Sequence, residues 1–97
     1  MKTKAHYNKK AAILNKIPDL IECTDHCHSL GLVQKDGSVE VYANHMDGFE
    51  FINTCKSVQI FREEFDVFED ELSLDIEFVK DIKKKLTDTT EIIYWAF

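Results

Sequence analysis

An α+β fold is predicted from three features of the 97-residue chain: an Asp36-Gly37 turn between alternating apolar runs, helix-period apolar spacing on both sides of it, and a C-terminal run of β-formers. The expected architecture is an N-terminal helix or kinked helix pair, a three- to four-stranded antiparallel meander, an acidic helical region and a C-terminal strand. At this length it reads as one small acidic domain, 1–97.

From Ala12 onward, Ile13, Ile17, Leu20 and Ile21 fall at i, i+4, i+7 and i+8, one face of a helix. Pro18 interrupts that face, and Pro is tolerated in a first turn, so a new helix is expected from about residue 18, with Gly31 as its stop. Leu32 and Val33, the Asp-Gly turn, then Val39, Val41 and Ala43 alternating with Glu40 and Tyr42, predict a β-hairpin. Asp47-Gly48 followed by Phe49-Glu50-Phe51 adds a third strand, and Val58 to Phe61 is a candidate fourth. Beyond it two periods compete. Phe61, Phe65, Phe68 and Leu72 are spaced as a helix stripe, while Leu72, Leu74, Ile76 and Phe78 alternate as a strand. The reading adopted is a helix over about 60–71, a break with Ser73 as N-cap, a second helix over about 75–86, and a loop at Thr87 to Thr90. Ile92 to Phe97 closes as a strand, expected at the centre of the sheet; the alternative is an exposed edge that adds to a partner or makes a homodimer.

Composition excludes several classes. No apolar run approaches the roughly 20 residues that span a bilayer, and the basic stretch Met1 to Lys10 is followed by only four apolar residues, too few for a signal peptide. The five Lys of residues 1–16 are expected on a solvated, fraying terminus. Three cysteines, an odd count, predict reduced thiols and a cytoplasmic setting, of the producer or of a host cell. A formal net charge of -6, with eleven Lys and a single Arg, Arg62, argues against direct nucleic-acid binding and offers no membrane contact. With three Gly there is no phosphate-cradling loop; no cofactor and no enzyme activity are expected.

The densest feature is acidic: Glu63, Glu64, Asp66, Glu69, Asp70, Glu71, Asp75 and Glu77, eight carboxylates in fifteen residues. On one helix Glu63, Asp66, Glu69 and Asp70 share the face opposite the Phe stripe, and each like-charge pair costs roughly 0.2–0.5 kcal/mol. A cluster that opposes folding points to a docking surface for a basic protein, and in the extreme to a mimic of the nucleic-acid backbone. The plainer reading is a solvated face paired with Lys83, Lys84, Lys85 and the N-terminal lysines. The partner expected is a nucleic-acid-binding protein or nuclease, with this chain its inhibitor, of the phage or plasmid anti-defence or toxin-immunity type.

Cys23, His26 and Cys27 supply the alternative, a small metal-binding or metal-sensing protein. Cys23 and Cys27 stand at i and i+4 of a helix, but the paired C-x2-C spacing of zinc sites is missing, and buried thiols are the commoner outcome. A nucleophile would need Cys55 or Cys23 beside His45 or His26.

Overall fold

The computed structural model describes residues 3–24, 28–45, 47–67 and 74–96. Its elements are α1 (Lys4–Asn15), α2 (Leu20–Cys23), β1 (His28–Gln34), β2 (Val39–Asn44), β3 (Phe49–Cys55), α3 (Val58–Phe65), α4 (Ile76–Lys85) and β4 (Thr89–Ala96). The four strands form one antiparallel sheet in the order β3-β2-β1-β4, so the α+β class and the meander are as expected. β4 pairs with β1 and stands at the edge of the sheet, not at its centre.

Helices cover both faces of this sheet. On the first face Leu30, Leu32, Tyr42, Phe49 and Tyr94 pack with Ala11 and Leu14 of α1, Leu20 of α2 and Ile82 of α4. On the second, Val33, Val39, Val41, Ile93 and Trp95 pack with Phe61 of α3 and with Val67. Double cover explains why every residue of β2, Glu40 included, is buried. An alternating strand normally keeps its polar side in water, and here that side lies under α1.

Several boundaries move from their sequence positions, each for a local reason. α1 begins at Lys4, because the Thr3 side chain accepts from the His6 N–H and caps it; Lys4, Lys9 and Lys10 thus sit on a helix, and Lys10 is buried. Pro18 lies in the turn before α2, where Asp19 takes a left-handed φ of 66°. Gly31 does not stop a helix but lies mid-strand in β1. A Cβ there would meet Phe61 Cζ at 3.0 Å and Val39 Cγ1 at 3.2 Å, so the glycine marks where the α3 ring lies against the sheet.

The candidate strand at 58–61 is the start of α3: the Ser57 hydroxyl accepts from the Ile60 N–H at 3.2 Å, and Phe61 and Phe65 then face the sheet one turn apart. That helix ends at Phe65, not near 71, because Asp66 turns left-handed with φ 56°. The proposed Ser73 cap lies outside the described residues, and the N-cap of α4 is Asp75, accepting from the Glu77 N–H at 3.0 Å. The expected loop at 87–90 already enters β4 at Thr89.

One side chain fixes the β2–β3 turn to α1. Asn15 Oδ1 accepts from the Phe49 N–H at 2.6 Å and its Nδ2 donates to the Phe49 carbonyl at 3.3 Å. Gly48, at φ 132°, passes so close that a Cβ would lie 2.8 Å from Asn15 Oδ1.

Candidate functional site

The acidic segment does not form the single helical face expected of it. Glu63 and Glu64 are exposed on the last turn of α3, and Asp66 is its C-cap. Asp75 and Glu77 are exposed at the N-terminus of α4, whereas Glu69, Asp70 and Glu71 lie outside the described residues. Val67 packs on the second face of the sheet and Leu74 against the first, so the chain changes face between them. The described acids are therefore divided between the two sides.

The two groups have different physical standing. Carboxylates at a helix N-terminus complement its dipole, and Asp75 also caps α4, so folding accounts for the α4 pair. Glu63, Glu64 and Asp66 crowd the opposite, negative end of α3, where an anion is unfavourable by roughly 0.3–1 kcal/mol. Glu63 Oε1 accepts from Gln59 Nε2 at 3.4 Å, and Glu64 Oε1 accepts from Asn53 Nδ2 at 3.0 Å. Among the described residues no lysine or arginine forms an ion pair with any of the five acids, and Lys10 pairs with Glu40 and Asp88. Lys83, Lys84 and Lys85 are exposed on the last turn of α4, where they complement its C-terminus.

The thiols and imidazoles are dispersed. Cys23 is exposed on α2, while His26 and Cys27 lie outside the described residues; among those described, no group of three His, Cys, Asp or Glu side chains converges to hold a metal. His28 Nδ1 shares a hydrogen bond with the Tyr94 hydroxyl, the rings meeting edge-on. Cys55 and His45 do not meet: Cys55 pairs with Val39 at the start of β2 and His45 follows its far end, roughly 20 Å away at about 3.3 Å per residue. The nearest acid to His45 is Glu50, at 3.8 Å.

Cys55 is buried, with Sγ donating to Glu64 Oε2 at 3.5 Å. Burial, and after it the Glu64 carboxylate, push its thiol up to about 11. In a Cys27→Ser variant at pH 8, iodoacetamide is expected to consume Cys23 at least about tenfold faster than Cys55, read by peptide mass spectrometry. Equal rates would contradict the burial of Cys55.

The most connected polar cluster is one that sequence reasoning missed. Lys10 Nζ donates to Glu40 Oε1 at 3.0 Å and Oε2 at 3.1 Å, to Gln34 Oε1 at 3.0 Å and to Asp88 Oδ2 at 2.8 Å. The Tyr42 hydroxyl donates to Glu40 Oε1 at 2.9 Å, and Gln34 Nε2 donates to the Leu32 carbonyl at 2.9 Å. The side chains of Lys10 and Glu40 are 7% and 1% exposed and that of Asp88 41%, so the cluster reaches water only at its Asp88 end. Burial, then the Glu40 carboxylate, hold the Tyr42 phenol far above the usual tyrosine range. Each ammonium proton has an acceptor residue, and together they tie α1 to β1, β2 and the turn before β4.

Comparison with known protein families, curated proteins and solved structures finds no match for this chain. Among the described residues no helix is long and apolar enough to cross a membrane.

Proposed function

We propose that this protein is a non-enzymatic inhibitor that docks a basic surface of a nucleic-acid-binding protein or nuclease through its acidic segment, covering the groove where nucleic acid binds. The observation that carries this reading is the trio Glu63, Glu64 and Asp66: exposed, set at the unfavourable end of α3, and without a cationic partner among the described residues. Exposed carboxylates that no described cation neutralises, held on a packed helix, suit a partner that supplies the cations. Asp75 and Glu77 extend the same negative field from α4, and carboxylates on both flanks of the sheet would track a basic groove as phosphates do. A cytoplasmic role against a host defence nuclease, or as the immunity protein of a nuclease toxin, fits such a surface.

The test is a variant carrying Glu63→Gln, Glu64→Gln, Asp66→Asn, Glu69→Gln and Asp70→Asn. Glu63→Gln, Glu64→Gln and Asp66→Asn remove anions from the C-terminus of α3, a gain of roughly 0.3–1 kcal/mol, so the variant is expected to unfold at an equal or higher temperature than the parent. It is also expected to lose the basic protein that the immobilised parent captures from nuclease-treated lysate and releases in a salt gradient. Undiminished capture by the variant would falsify the proposal.

A further inference from the structure

We propose that the basic partner is engaged by strand addition: an extended, lysine- or arginine-bearing segment pairs with the free edge of β3, its cations meeting Glu50 and Glu64. This rests on the docking reading above and names its place and mode. β3 ends the sheet, and among the described residues no strand pairs with its outer side; Asn15 takes the Phe49 N–H and carbonyl, so the stretch open to another chain is 51–55. Unpaired backbone N–H and C=O groups along an edge are a template for another chain.

The side chains around that edge select the occupant. Ile52 and Ile60 are 42% and 44% exposed, two of three large apolar side chains exposed among the described residues. Ile60 lies one helical turn before Glu64, and Glu64 bonds Asn53 and Cys55, so this flank of α3 overhangs β3. Phe49 and Phe51 pack toward the first face, which turns the exposed Glu50 to the second, the side on which Glu64 lies. An added strand with cations at alternate positions would meet both carboxylates, its lysine stems lying on Ile60. Its intervening apolar residues would fall beside Phe51 and Tyr7, which stack at 3.9 Å.

A second copy of this chain fits less well. It would bring Glu50 and Glu64 against their own like charges in a molecule of net charge -6. The register also slips between Val41–Asn53 and Tyr42–Phe51, a bulge at Ile52 that any added strand must follow; a short peptide can bend with it, whereas two sheets would need a long flat edge. β4, the other edge, carries no large apolar side chain that is exposed among the described residues.

The experiment titrates isotope-labelled protein with a blocked Thr-Lys-Val-Lys-Val-Lys-Thr peptide and follows backbone amides by NMR. Saturable shifts centred on residues 51–55, absent with the same peptide N-methylated through its centre and weakened about fivefold in Glu50→Gln/Glu64→Gln protein of unchanged dispersion, are expected. Shifts that survive N-methylation and centre on the acids of α3 and α4 would overturn strand addition while leaving charge-led docking intact. No saturable shift with either peptide would overturn it too, and the docking reading would then stand or fall on the capture experiment. A dimer of the peptide-free protein that Ile52→Lys dissociates would assign the edge to a second copy instead.

Discussion

Replacing Lys10 with Met is expected to lower unfolding free energy by about 3–5 kcal/mol, the usual effect of removing one partner from a buried ion pair. Met reproduces the stem of the side chain but removes the Lys10 ammonium from the Glu40 carboxylate, which is 1% exposed. Asp88, 41% exposed, can turn to water, so the cost falls on Glu40. Lys10→Met with Glu40→Gln should recover most of the loss, because the amide is uncharged and its oxygen still accepts from Tyr42. Urea unfolding of the parent, the single variant and the double variant measures this, and a single-variant loss below about 1 kcal/mol would show that Glu40 is hydrated.

The same cluster sets an alkaline limit. Tyr42 is held neutral by burial and then by Glu40, so its folded pKa is raised. The stability it contributes is fully present below the ordinary tyrosine value of about 10 and is lost as pH rises beyond it. Unfolding followed from pH 8 to 11 should show that decline.

Phe61→Ala should cost a similar 3–5 kcal/mol or so, since it empties a fully buried site. Phe61 meets Trp95 edge-on at 5.1 Å and lies against Gly31, so one ring joins α3 to two strands. Gly31→Ala alone should cost about 1–3 kcal/mol, because the new Cβ would press on that ring. In the Phe61→Ala background the ring is gone and only Val39 Cγ1, at 3.2 Å, remains, so the glycine substitution should cost less. The double-mutant cycle is therefore expected to be strongly non-additive, and simple additivity would mean that the two residues do not meet.

These residues also show how far the sequence could be read. The hairpin was legible because Asp36-Gly37 has one good solution, with Gly37 at φ 89°, and α4 because Phe78, Val79, Ile82 and Leu86 keep one stripe. Gly31 misled because a glycine needed for close approach looks like one that ends a helix. The α1 start was hidden by a lysine-rich stretch with few apolar residues to set a period. Lys10–Glu40 was out of reach for a different reason: polar alternation along β2 implies a wet face, and only tertiary structure puts α1 over it. The acids were visible as composition, but their division between α3 and α4 depends on Asp66 turning left-handed.

The sheet order governs how the protein is made. β1 is a central strand whose neighbours are β2, four residues after it, and β4, which leaves the ribosome after β2, β3, α3 and α4. Throughout that interval the emerging chain presents one edge of β1 unpaired, and Lys10 waits for Asp88. Such distant pairings slow folding and leave apolar strands open to other chains. Synthesis slowed between Cys55 and Thr89 should therefore make the nascent protein unusually dependent on chaperones, even though the finished sheet is covered on both faces.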